Sequence, residues 1–329
     1  MEGNAVLVTG GNSGIGFECA RQLARAGWQV VIASRDRAAS AEAARQIVRD
    51  TGNSQAVSEM GLDLGSTASI RQFARDVAAR DLPLRALVCN AGLQSNALHL
   101  SSDGYERTFA VNHLGHFLLT NLLLERLHAR GPARIVVVAS GVHDPQLMTG
   151  MPKADVADLA TLAATGGPRI GAFDGRLAYV NSKLCNLWFV YELVRRLEAA
   201  GLAHGERMLT VNGFDPGLVP GSGLARDYPP ALRFIWNRIL PAAARVLTLV
   251  VPNVNPADKA GDALARLVLD PELAQVSGKY FPSHTRWRQA ASSDASYDVA
   301  RARALWDESV RMTKLAPNES PLVAATPAP

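Results

Sequence analysis

A tyrosine and a lysine stand four residues apart in AYVNSKLCN, residues 178–186. On a helix that separation amounts to about 40° of rotation, so Tyr179 and Lys183 share a face one turn apart and can reach one ligand. The chemistry open to such a pair is proton transfer. A phenol gives or takes the proton, and an ammonium beside it favours the phenolate, lowering a pKa that is ordinarily near ~10. The same spacing is also found on ordinary helix surface, so the surroundings decide the reading.

The N-terminal end supplies a partner for that chemistry. TGGNSGIG, residues 9–16, follows the apolar run AVLVTG directly and opens a helix. Gly10, Gly14 and Gly16 let the backbone turn tightly and approach a pyrophosphate, whose negative charge the helix N-terminus favours; Asn12, Ser13 and Ile15 complete the loop. A dinucleotide is the expected ligand. An acidic residue at the end of the second apolar run would bind the ribose 2′-hydroxyl of NAD, but the chain has Ser34 followed by Arg35. A guanidinium beside a small hydroxyl suits a 2′-phosphate, which makes NADP(H) the expected cofactor. A plain surface arginine in SRDR is the competing reading.

The elements that must position these residues alternate. Apolar, β-branched runs occur at 5–10, 29–34, 85–90, 134–140 and 208–214, with further strands expected within 55–63 and at 278–281. Nearly continuous apolar runs separated by helical patterns read as parallel strands buried on both faces, with helices as crossovers. The expected fold is therefore α/β, a Rossmann-type doubly wound parallel sheet forming a single domain over residues 1–315 with a helical lid insertion. Residues 141–177, rich in Gly, Pro, Asp and Ala, read as an insertion at the mouth of a site. Residues 218–255 carry an amphipathic pattern around Phe234, Trp236 and Ile239, for which a helix docked on the core, a substrate lid and a membrane-surface helix are all open. Residues 316–329 read as a disordered tail.

Composition narrows the function. The chain has 329 residues, 48% hydrophobic and 19% charged, and its formal net charge of +4 is spread rather than blocked into basic runs. Nucleic acid is not an expected partner. Cys19, Cys89 and Cys185 form no CxxC pair and leave an odd count, so neither a disulfide framework nor a thiolate zinc site is expected, and a reducing cytoplasm suits them. The N-terminus lacks the basic region of a signal peptide, and the most lipid-like stretch, 239–252, is shorter than the ~20 apolar residues of a membrane span. His113 and His116 are accompanied by no HExxH pattern or carboxylate cluster, so packing or capping is expected and no metal.

The ordered motifs TGGNSGIG, NAG (90–92), VNHLGHF, VVVAS ending in Ser140, YVNSK and DPG (215–217) resemble those of short-chain dehydrogenase/reductases over about residues 4–315. That resemblance implies Tyr179 as proton donor or acceptor, with Lys183 also holding the nicotinamide ribose. Ser140, at the C-terminal end of a parallel strand, is placed to hydrogen-bond the substrate oxygen. Asn112 resembles the residue that holds a water linking the lysine to solvent. The likeness further implies Asp63 with Leu64 at the adenine, Asn90, Ala91 and Gly92 beside the cofactor, and Pro216 with Gly217 on the nicotinamide side.

Within the family the sequence is most similar to light-dependent protochlorophyllide oxidoreductases and, more distantly, retinol dehydrogenases. It departs from the former at NAGLQS and inside YVNSK, which leaves hydride transfer intact and the pigment substrate open. The likeness would bring Cys185 near the substrate, but about 240° of helix separates it from Tyr179, and a small buried hydrophobe is the competing reading. The leading expectation is an NADP(H)-dependent oxidoreductase of a bulky apolar carbonyl or alcohol. Light-dependent protochlorophyllide reduction is the alternative, and a non-catalytic NADPH-binding sensor is the alternative from another class. Peripheral membrane contact and homo-oligomerisation stay open.

Overall fold

A computed structural model describes residues 3–323 apart from 53–56, 148, 157, 169–171, 224–228 and 245–252. Seven strands, β1 (Ala5–Thr9), β2 (Gln29–Ser34), β3 (Val57–Gly61), β4 (Leu84–Cys89), β5 (Ala133–Val138), β6 (Leu209–Asp215) and β7 (Lys279–Pro282), form one sheet in the order β3-β2-β1-β4-β5-β6-β7. Every adjacent pair is parallel. Strands β1 and β6 are buried along their whole length, as β-branched runs covered on both faces must be. The alternation of side chains divides the core in two. Leu7, Val31, Leu87 and Ile135 face one layer of helices, while Val6, Val8, Val30, Ile32 and Val136 face the other.

The helices in chain order are α1 (Gly14–Arg25), α2 (Arg37–Thr51), α3 (Thr67–Ala79), the short α4 (Arg107–Phe109), α5 (Gly115–Arg130), α6 (Leu159–Thr165), α7 (Gly175–Ala199), the short α8 (Pro230–Phe234), α9 (Ala257–Leu269) and α10 (Val299–Thr313). After β3 the chain crosses back over β1 to lay down β4 on its far side, which opens a crevice at the C-terminal ends of β1 and β4. α7 carries the tyrosine and lysine. It is buried on nearly every side for most of its length because the sheet lies against one face and α10 against another. Asp174 starts it by accepting hydrogen bonds from the Arg176 and Leu177 backbone N–H groups, satisfying two donors the helix cannot pair internally.

One expectation about a segment changes. The tail read as disordered from residue 316 is packed through Val323: Arg71 holds both oxygens of Glu319 at 2.8 Å, the Ser320 hydroxyl donates to Asn121 at 2.7 Å, and Leu322 joins the core. Residues 324–329 lie outside the described residues. Within 218–255 the described residues include α8 and a wide helical turn, Ile235–Ile239, with Leu232, Phe234, Ile235 and Ile239 exposed; its parts at 224–228 and 245–252 lie outside the described residues. Among the described residues no helix is long and apolar enough to cross a membrane.

Candidate active site

The crevice is a cavity of about 520 Å³, and its two ends correspond to the two sequence motifs. At one end the loop from β1 to α1 supplies Gly10, Asn12, Ser13, Gly14, Ile15 and Gly16. Gly16 allows the closest approach: a Cβ there would stand 2.4 Å from Asn90 Nδ2 and 2.5 Å from the Gly10 carbonyl oxygen. Gly14, at φ +54°, instead faces open space, where a Cβ would meet only Ser222 Cα at 4.0 Å. A cradle that a single methyl group would begin to fill, at the start of a 12-residue helix, fits the pyrophosphate of a dinucleotide.

Asn90 fastens this loop to the central strands. Its side chain donates to the Thr9 carbonyl at 2.8 Å, while the Asn90 and Ala91 backbone N–H groups donate to the Thr9 hydroxyl at 2.9 and 3.0 Å. The same hydroxyl lies 2.9 Å from His116 Nε2, and His116 Nδ1 lies 3.1 Å from the Asn112 carbonyl. A carbonyl only accepts, so Nδ1 carries the hydrogen and Nε2 accepts a hydrogen bond from the Thr9 hydroxyl. Burial pushes the His116 pKa down to about 4, consistent with this neutral state. His113 packs among Phe109, Phe117 and Phe189 and pairs with Ser309. Both histidines are thus packing and positioning groups, and no cluster of potential metal ligands occurs among the described residues.

Ser34 and Arg35 line the cavity farther along, with Asp63 and Leu64 beside them. The Ser34 hydroxyl is committed to Ser40 at 2.6 Å, so of the expected pair it is the exposed Arg35 that remains to meet a ligand. Asp36, which the sequence reading passed over, is the one carboxylate beside Arg35 that could have served a ribose hydroxyl. One of its oxygens caps α2 through the Ala39 N–H at 2.9 Å, and the residue also borders the cavity. Asp63 accepts from the Gly65 N–H at 2.9 Å and so turns its own loop.

At the other end of the cavity Ser140, Tyr179 and Lys183 meet, together with Gly92, Pro216 and Gly217. Lys183 Nζ donates to the Val138 carbonyl at 3.0 Å and sits 5.5 Å from the centre of the Tyr179 ring. The expectation that the lysine lowers the tyrosine's pKa does not hold for the chain by itself. Burial and then the charge of Asp215 push Tyr179 up, opposed only by hydrogen bonding with Ser140, because the ammonium is drawn to a backbone carbonyl rather than to the phenol oxygen. Burial likewise lowers the Lys183 pKa to about 8.

Two expected residues are not on the cavity wall. Asn112 is fully buried in a π-helical turn, Ala110–Leu114, and its side chain is bound by the Leu93 backbone, donating also to Ser182 at 2.9 Å. Its side chain therefore fixes the strand-to-loop segment that carries Gly92, where a Cβ would stand 3.4 Å from Asn112 Oδ1 and 3.6 Å from Lys183 Nζ. Cys185 is buried against Leu184 and Trp188 on the far side of α7, where burial raises its thiol pKa. Conversely, sequence reasoning missed Asp215 and Trp236 as wall residues. An acid at the C-terminal end of a parallel strand was the readable signal for the first. The remaining wall is largely apolar, with Leu93, Val142, Met151, Leu218, Val219 and Trp236.

Comparison with known proteins gives a consistent picture. A family model described as short chain dehydrogenase matches residues 4–150. Protochlorophyllide reductase B, chloroplastic, of Hordeum vulgare is 35% identical over 95% of this chain and 79% of its own length. Retinol dehydrogenase 13 of Homo sapiens is 35% identical over 100% of this chain and 89% of its own. Among solved structures, an uncharacterised protein of Mycobacterium paratuberculosis superposes with a TM-score of 0.67 at 30% identity, covering 95% of this chain and 94% of that one.

Proposed function

Since the chain belongs to the short-chain dehydrogenase/reductase family, whose oxidoreductases use nicotinamide cofactors, we propose that it binds NADP(H) and reduces a bulky apolar carbonyl compound or oxidises the matching alcohol. The observation that carries this reading is the convergence of Ser140, Tyr179 and Lys183 on one wall of a cavity whose opposite end is the glycine loop and Arg35. The glycine loop would hold the pyrophosphate, Arg35 the 2′-phosphate, Asp63 and Leu64 the adenine side, and Lys183 the ribose near Pro216 and Gly217. When bound, the cofactor supplies or accepts the hydride.

The chain's own residues handle the proton and the substrate. Ser140 donates a hydrogen bond to the substrate oxygen, holding it within reach of Tyr179. Tyr179 gives that oxygen its proton in reduction, and its raised pKa keeps the proton available at neutral pH. Lys183 spends one of its N–H groups on Val138 and keeps two for a ribose hydroxyl. Asn112 supports the Gly92 segment. Met151, Leu218, Val219 and Trp236, from the 141–177 and 218–255 segments, offer the apolar half of the wall and favour a large hydrophobic substrate.

The test is NADPH oxidation by the purified protein with retinal, with simple aldehydes and with protochlorophyllide, each in darkness and in light. Dark turnover of carbonyls is expected. Turnover of the pigment in light alone would instead support the second reading, favoured by the barley relative, in which a C=C bond is reduced. NADPH binding with no turnover of any carbonyl or pigment would leave a sensor and remove the enzyme reading.

A further inference from the structure

Strand β6 ends in a carboxylate that the proposed reaction does not use. Asp215 is fully buried and lines the cavity beside Tyr179 and Lys183. One carboxylate oxygen accepts the Gly217 N–H at 2.9 Å, and the Asp215 carbonyl accepts from Trp287 Nε1 at 3.1 Å, which fixes the end of the strand. The second oxygen, Oδ2, is buried and forms no hydrogen bond of ordinary distance and angle among the described residues, although the Tyr280 phenol is placed as a donor toward this carboxylate. Room for it depends on Gly141, where a Cβ would come within 3.0 Å. A buried carboxylate oxygen left without a well-formed hydrogen bond is costly, so its place on the cavity wall asks for a ligand group to face.

The groups around it do not fully supply a positive charge. Lys183 Nζ is directed at Val138, His143 donates to the Ser140 carbonyl and is kept neutral by burial, and Tyr179 and Tyr280 are phenols whose pKa values the Asp215 charge helps to raise. Resting on the reading that a nicotinamide ring binds at the Tyr179 end, we propose that the Asp215 carboxylate is a fixed negative charge that makes the cavity hold the oxidised, cationic nicotinamide cofactor more tightly than the reduced, neutral one. By linkage, the bound reduced form is then a stronger hydride donor than the free one, which tilts the protein toward reduction. Without the carboxylate, Lys183 is the formal charge left at that end, and it repels a cationic ring.

The experiment is separate titration of NADP⁺ and NADPH into the full-length protein, into Asp215→Asn and into Tyr280→Phe, followed by tryptophan fluorescence. The asparagine can still accept from Gly217, so the turn is kept and the charge is lost. Wild type should bind NADP⁺ more tightly than NADPH; Asp215→Asn should weaken NADP⁺ by about tenfold or more and change NADPH by less than about threefold. Tyr280→Phe, a neighbouring change that keeps the charge, should retain the wild-type preference. Equal weakening of both forms by Asp215→Asn, or loss of the preference in Tyr280→Phe, would overturn the inference while leaving the proposed function standing. If the asparagine variant fails to fold, a wild-type preference for NADPH overturns it unaided. Binding of neither form by wild type overturns the proposed function and this inference together.

Discussion

Replacing Gly16 with alanine tests whether the crevice is built as described. The new Cβ would lie 2.4 Å from Asn90 Nδ2 and 2.5 Å from the Gly10 carbonyl oxygen, each about 1 Å inside ordinary contact. Neither neighbour yields easily. Asn90 is held at 2.8 Å by the Thr9 carbonyl, and the Gly10 oxygen is backbone tied to β2 through the Gly10 N–H and the Ala33 carbonyl at 2.8 Å. Overpacking of this depth costs about 3 kcal/mol, and releasing the Asn90 hydrogen bond adds about 1 kcal/mol. Alanine's better helix propensity offsets about 1 kcal/mol, leaving a net loss of about 3 kcal/mol.

Gly14→Ala is the control, two residues away on the same loop. It meets nothing closer than Ser222 Cα at 4.0 Å, and only its φ of +54° is penalised, by about 1–2 kcal/mol. Urea unfolding at 25 °C measures both losses, and NADPH titration measures binding. Gly16→Ala should lose stability and binding together. Gly14→Ala should lose binding with the smaller stability change, because its methyl group enters the space meant for the pyrophosphate. A Gly16→Ala protein within about 0.5 kcal/mol of wild type, or less affected than Gly14→Ala, would refute the close approach of α1 to Asn90.

Tyr179→Phe should lower kcat by about 10²–10⁴-fold with NADPH affinity retained, and unchanged turnover would take Tyr179 out of the mechanism. Arg35→Glu should reverse the preference from NADPH to NADH; a variant that still binds NADPH better shows that another group reads the 2′-phosphate. Burial holds Lys183 at about 8, below its unfolded value near ~10.4, so between those values the unfolded chain keeps a proton that the folded chain has released. Stability should therefore rise with pH across that window relative to Lys183→Met, and parallel unfolding profiles for the two proteins would contradict the burial argument. Leu322→Ala should cost about 2 kcal/mol in the same unfolding assay, whereas a loss under about 0.5 kcal/mol would mean that the last described turn contributes nothing to the core.

The sheet was legible because burial on both faces leaves a direct mark on composition: each apolar run from AVLVTG to GKYF became a strand. The glycine loop and the Tyr179–Lys183 pair were legible for a related reason, since tight turns and helical spacing are local. What the sequence did not carry is what distant residues decide. The tail APNESPLV has the composition of a loose end, and only the positions of Arg71 and Asn121 reveal that it is tied down. Asp36 and Asp215 look alike as acids near strand ends and both border the cavity, yet one is exposed and caps a helix while the other is fully buried. Asn112 stands in the expected place along the chain, but the π-helical turn directs its side chain to Leu93 rather than into the crevice. The direction of the Tyr179 pKa depends on burial and on Asp215, neither of which a four-residue spacing contains.

The packing of the last turns also sets a schedule for biosynthesis. One face of the sheet is closed by Trp306, Leu315 and Leu322 against Leu7, Leu87 and Phe117, which precede them by some two hundred residues or more. At about 5–20 residues per second, a ribosome delivers those closing residues tens of seconds after the first strand. During that interval the nascent chain presents an unfinished apolar face, including the phenylalanine cluster that Trp306 later covers. This face of the core is therefore complete only once residues 306–322 have been made, and residues 4–150, which match the family model, are synthesised before the side chains that cover it.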